Sequence, residues 1–143
     1  KDGSIIWTAR IPARIRNMPE VRNGAPDDTY WVADPVAAGG GVFMAVLNYA
    51  GQRSVLAFDM ETGEFRWEFK RMMILFNSML VDEKEGAVYI PVFASGIEKV
   101  SLADGSLLEH IPLQVSTGFK LGREMLFDMS GRLMKVVLKE KRK

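Results

Sequence analysis

The segment Ala57-Phe58-Asp59-Met60-Glu61-Thr62-Gly63-Glu64-Phe65-Arg66-Trp67 most constrains what this chain can fold into, because it encodes a strand, a tight turn and a second strand, and it recurs. Val55 to Met60 is rich in β-formers. Glu64 to Phe69 alternates polar and aromatic residues at period two, the pattern of a strand with unlike faces. Gly63 is free to take the positive φ that closes such a hairpin, and the short Asp59 and Thr62 side chains are suited to hydrogen-bond the turn backbone.

Aligning the strand blocks exposes the repeat. Gly41–Leu47 matches Gly86–Val92 and then Gly122–Phe127. A second strand follows in each block, at Ser54–Phe58, Ile97–Leu102 and Arg132–Leu138, and a third at Glu64–Phe69 and Ser106–Pro112. An earlier strand precedes each block, at Asp34–Ala38, Asn77–Asp82 and Val115–Lys120. Four short strands in about 42 residues is the spacing of β-propeller blades. Helical repeats of that length are disfavoured, since glycine punctuates the β-formers every eight to twelve residues. A β-sandwich is the alternative, and the matched register favours the propeller.

The expected architecture is therefore all-β: blades of four antiparallel strands, about three per chain, in one propeller-type domain over residues 1–143. Blades are expected at 34–72 and 73–113, with a partial blade at 114–143 and an irregular loop at 14–33. The partial blade lacks a fourth strand, and residues 1–13 open with a lone strand of the fourth type, Asp2–Arg10. That strand is expected to complete the last blade, because closure removes exposed sheet edges. Three blades are few for a ring. A homodimer would make six, or the chain is a piece of a longer propeller, which a first residue other than methionine favours.

Composition narrows function by exclusion. The 143 residues are 48% hydrophobic and 26% charged, ordinary for one folded domain. A net charge of +1 gives no field to draw nucleic acid. Arg10, Arg14 and Arg16 near one end, and Lys139, Lys141, Arg142 and Lys143 at the other, read first as solvated termini. Polyanion binding is a third reading, should the two ends share a blade. Without cysteine there is no disulfide, thiol nucleophile or thiolate metal site. No run approaches the length of a membrane-spanning helix.

The segment from Ala57 to Trp67 resembles the repeat of the quinoprotein family, the pyrroloquinoline-quinone-like (PQQ-like) propellers. Ala57, Asp59, Thr62, Gly63 and Trp67 match its pattern, and Gly3 with Trp7 matches the last part. The second copy is degenerate. Gly105 is kept, but Ser101 replaces aspartate, Asp104 replaces threonine and Glu109 stands where tryptophan belongs. The resemblance covers residues 1–13 and 34–138. It implies that Trp7 and Trp67 dock one blade against the next near a turn glycine. It also implies a bacterial-envelope, periplasmic or extracellular setting, and two kinds of function: assembly scaffolds, and dehydrogenases that hold a quinone and calcium on the propeller axis.

Other candidates for chemistry are weak. His110 is the only histidine, so no histidine pair exists for a metal or for acid–base work. The serines lack the strand-to-helix elbow of a hydrolase nucleophile. Gly39-Gly40-Gly41 leads into a strand rather than a helix, and no Gly-Lys-Ser/Thr follows, so it reads as a turn and not a phosphate loop. Asp82-Glu83-Lys84-Glu85-Gly86 lacks the alternating ligands of a calcium loop. The apolar run Met72-Met73-Ile74-Leu75-Phe76 reads as packing between blades. The expected function is a non-enzymatic binding scaffold that presents loops, Ile15–Tyr30 among them, to a protein or peptide, with no cofactor. The alternative is part of a quinoprotein-like dehydrogenase using PQQ and calcium.

Overall fold

The strand blocks and glycine turns fold into three antiparallel sheets. The computed structural model describes residues 7–19, 29–49, 52–71, 74, 79–92, 95–112, 117–121, 124–129 and 132–137. The first sheet is a meander of β1 (Tyr30–Gly39), β2 (Val42–Tyr49), β3 (Gln52–Asp59) and β4 (Phe65–Arg71). The second repeats that order with β5 (Leu80–Asp82), β6 (Ala87–Val92), β7 (Gly96–Ser101) and β8 (Leu107–Ile111). The third has β9 (Thr117–Leu121), β10 (Glu124–Met129) and β11 (Arg132–Val137), ordered β11-β10-β9. The architecture is all-β, built of four-stranded antiparallel blades.

The repeat extends to irregularities. The β3–β4 register slips between Ala57 and Phe58, and the β7–β8 register slips between Lys99 and Val100, at matching places. Each slip is a bulge that turns one outer-strand residue out of the ladder. Arg66 is that residue in the first blade and Leu108 in the second.

Burial explains why the inner strands carry long apolar runs instead of a clean alternation: both of their faces are covered. One face of the first blade meets the second blade. Met44, Val46, Val55, Ala57, Trp67 and Phe69 pack with Val88, Ile90, Val100 and Leu102. Ile74 and Met79, from the connection between blades, complete that cluster, and Ile74 forms a bridge to Val92. The rest of the run from Met72 to Phe76 lies outside the described residues.

The other face of the first blade buries Leu47, Tyr49, Leu56 and Phe58 against Ile15, with Ala9, Ile11 and Met18 alongside. Ile15 sits on α1 (Ala13–Arg16), a single turn within the segment expected to be irregular. β1 likewise begins at Tyr30, ahead of the expected Asp34. Residues 20–28 of the candidate loop lie outside the described residues. The expected closing strand is not among the described pairings. Residues 7–12 carry no ladder, residues 1–6 lie outside the described residues, and the described sheets do not close on each other.

Candidate functional site

The turn that joins β3 to β4 is built by its own side chains. Asp59 Oδ1 accepts from the Glu61 N–H at 2.9 Å and the Thr62 N–H at 2.8 Å. Thr62 Oγ1 accepts from the Glu64 N–H at 3.2 Å. Gly63 closes the turn at φ 73°, its N–H bonded to the Asp59 carbonyl at 2.9 Å. Asp59 Oδ2 receives Arg66, the residue the bulge has turned out of the ladder.

The second blade keeps these roles with different residues. Gly105 has φ 74°, and its N–H bonds the Ser101 carbonyl at 3.0 Å. Ser101 Oγ takes the Ala103 N–H at 3.2 Å, as Asp59 takes the Glu61 N–H. Asp104 Oδ1 takes the Ser106 N–H at 3.1 Å, as Thr62 takes the Glu64 N–H. What is lost is the ion pair. Ser101 has no charge to offer, and Leu108 stands where Arg66 stood, 52% exposed.

Each turn presents a carbonyl and a glycine to an indole. Trp67 Nε1 donates to the Leu102 carbonyl at 2.8 Å, and its ring lies over Gly105, where a Cβ would come within 2.8 Å of it. Trp7 Nε1 donates to the Met60 carbonyl at 3.0 Å, and its ring lies over Gly63, where a Cβ would come within 2.7 Å. Ala57 pairs with Trp67 across the ladder and is fully buried. Ala57, Asp59, Thr62, Gly63, Trp67 and Trp7 are thus gathered along the seams of the first blade; Gly3 lies outside the described residues. Met60 and Leu102 escaped the sequence reading because they act through backbone carbonyls, which no side-chain pattern reports. Arg66, seven residues after Asp59, was visible only as a strand residue.

Between the first two blades, at this turn end, lies a cleft of about 270 Å³ lined by Gly40, Gly41, Val42, Asp59, Glu61, Arg66, Leu102 and Ala103. Gly40 and Gly41, at φ 58° and 77°, form the hairpin between β1 and β2. That hairpin presses on the second blade, where the Gly40 N–H bonds Glu83 Oε1 at 3.0 Å. The hydrogen bond from Arg66, then the Thr62 and Glu61 N–H groups, hold the Asp59 carboxyl far below the usual carboxylate range. The same contact raises the Arg66 guanidinium. The cleft therefore keeps a fixed anion and a fixed cation side by side against an apolar wall.

Two buried carboxylates lie farther out on the blades. Glu68 Oε1 accepts from Tyr49 Oη at 2.8 Å, and Arg14 Nη2 of α1 stands 2.7 Å from Oε2. Arg14 also covers the Phe65 ring, 5.1 Å from its centroid. Glu98 is held between Arg71 of the first blade, at 3.2 Å, and His110 of its own blade, at 3.3 Å. His110 is half-exposed and is accounted for by that contact. Among the described residues, no three His, Cys, Asp or Glu side chains gather where they could share a cation. No described helix is long and apolar enough to cross a membrane.

Four-stranded antiparallel sheets, repeated bulges and an indole seated on the next turn define a β-propeller-type protein. No protein-family model matches the chain, and no curated protein does. Among solved structures it is similar to BamB from Moraxella catarrhalis, with 18% identity, a TM-score of 0.54 and 73% of this chain covered. The chain spans 35% of the length of that protein. At this identity the likeness is one of fold, and the fold is the β-propeller.

Proposed function

We propose that the chain is a non-enzymatic binding scaffold of the PQQ-like propeller type, presenting its strand-joining turns to a protein or peptide partner in the bacterial envelope. The observation that supports this reading most is the use of its aromatic residues. Trp67 is buried in the seam between blades, and the turns beside it are left facing the cleft at Asp59, Glu61 and Arg66. A cleft of about 270 Å³ is below the usual size for a small-molecule or cofactor pocket, roughly 300–1,000 Å³. Its apolar wall of Leu102 and Ala103, with Arg66 and Asp59 at the rim, suits one or two side chains of an extended peptide.

Selection of a displayed random-peptide library on the folded chain tests this. Recovered peptides are expected to bind wild type and to lose about tenfold in affinity to Arg66→Glu, a change of about 1.4 kcal/mol. A library that yields no binder, or stoichiometric uptake of PQQ with calcium in titration calorimetry, would overturn the scaffold reading in favour of the dehydrogenase alternative.

A further inference from the structure

We propose that, within the scaffold reading on which this rests, the Asp59–Arg66 pair is the specificity element of the cleft between the first two blades, and that it selects a carboxamide side chain, glutamine or asparagine, of the guest peptide. The pair is surplus to building its turn. Gly105 closes the second turn at φ 74°, against 73° for Gly63, and each glycine N–H bonds the carbonyl of the equivalent residue, Ser101 or Asp59. Ser101 and Asp104 supply the side-chain acceptors of the second turn. Leu108, in the place of Arg66, offers no charge, and that turn closes all the same. What Asp59 and Arg66 add in the first blade is a fixed acceptor and a fixed donor on the wall of the cleft.

The free hydrogen-bonding capacity of the pair sets the chemistry of the guest. Asp59 Oδ1 accepts the Glu61 and Thr62 N–H groups, while Oδ2 accepts, among the described residues, from Arg66. A carboxylate has about four acceptor sites, so one is left, on Oδ2. Arg66 makes that contact through Nη2, and its guanidinium has further N–H donors in the same plane. Its side chain is more than half exposed, so those donors are open to a guest. A carboxamide matches both groups at once. Its N–H donates to Asp59 Oδ2, its oxygen accepts from Arg66, and its methylene stem lies on Leu102 and Ala103. A carboxylate guest gains Arg66 but faces Asp59 and Glu61, and Asp59 has no proton to offer because its partners keep it ionised. A cationic guest gains Asp59 and Glu61 but stands against Arg66 and competes with it for Oδ2. A hydrocarbon guest covers both polar groups and pairs with neither, the mismatch that a site of buried donors and acceptors rejects most strongly.

The peptides recovered from the displayed library provide the test. Glutamine or asparagine is expected at one shared position. In titration calorimetry with the full chain, replacing that residue by glutamate, lysine or methionine is expected to weaken binding about tenfold or more in each case. Arg66→Leu repeats the arrangement of the second blade, whose turn closes without the pair, and is expected to bind the amide and methionine peptides alike. Asp59→Asn replaces the open acceptor by a donor and is expected to narrow the same difference. Recovered peptides that share no amide overturn this inference and leave the scaffold reading standing. So does a wild-type chain that binds the amide, glutamate, lysine and methionine peptides alike, or a preference for the amide that survives in both variants. A library that yields no binder removes the inference together with the reading it rests on.

Discussion

The indole of Trp67 rests on the backbone of Gly105, so close that a single added methyl group at Gly105 would come within 2.8 Å of the ring. The contact joins two scales of the sequence. Locally, Gly105 has the positive φ that its turn requires. Non-locally, its bare α-carbon lets the ring sit flat and brings Nε1 to the Leu102 carbonyl. One residue serves turn closure and blade docking together.

Removing the ring should open a cavity in the hydrophobic cluster between the two blades. Trp67 is buried and packs among residues of both blades. We expect Trp67→Ala to lower stability by about 3–5 kcal/mol in urea unfolding. Trp67→Phe should lose less, since it keeps most of the packing and gives up the N–H to Leu102. Wild-type stability in Trp67→Ala would remove the docking role.

The glycine side of the contact gives a sharper comparison. Gly105 and Gly41 have nearly the same φ, 74° and 77°, but a Cβ at Gly41 meets nothing within 4 Å. Gly41→Ala should therefore cost only the left-handed backbone penalty, about 1–2 kcal/mol. Gly105→Ala adds displacement of the indole and should cost clearly more. Equal melting-temperature shifts for the two variants would show that the ring yields freely.

Glu98 and Arg71 tie the blades together through charge. The Glu98 side chain is almost fully buried, and Arg71 reaches it from the end of β4. We expect Arg71→Met to cost about 1–3 kcal/mol, because a buried acceptor loses its principal donor. Glu98→Gln in the same background should recover part of that loss by removing the uncompensated charge. Strict additivity of the two substitutions in a double-mutant cycle would mean that the contact carries no coupling.

Much of this fold was legible because propeller blades are assembled from local hairpins. Asp59, Thr62 and Gly63 state their turn within five residues, and the matching Gly105 places the second turn. The buried runs Val42–Leu47 and Ala87–Val92 mark strands covered on both faces. Legibility fails where burial depends on distant partners. Ile15 lies between arginines in the segment expected to be irregular; its partners Leu47 and Tyr49 are on β2, and four helical residues are too few to show a period. Glu98 lies on β7 and its partner Arg71 on another blade, so no local pattern pairs them. The second turn looked degenerate because roles moved between residue types: Ser101 and Asp104 accept the backbone N–H groups that Asp59 and Thr62 accept in the first.

Asp59 gives the turn an acid-sensitive component whose direction follows from its partners. Arg66 and the Thr62 and Glu61 N–H groups favour its ionised form, so the folded state holds the proton less tightly than the unfolded chain. Stability from this group is thus complete above the unfolded value, about 3.9, and is lost as pH falls through the lower folded value. Asp59→Asn isolates the charge, since the amide oxygen can still accept from the turn N–H groups. The stability difference between wild type and Asp59→Asn should stay level from neutral pH to about pH 5 and narrow below about pH 4. It should also shrink with added salt, because the Arg66 side chain is more than half exposed. A difference that holds constant into strong acid would mean that the carboxylate charge contributes nothing to the turn, and that Asp59 acts there only as a neutral acceptor.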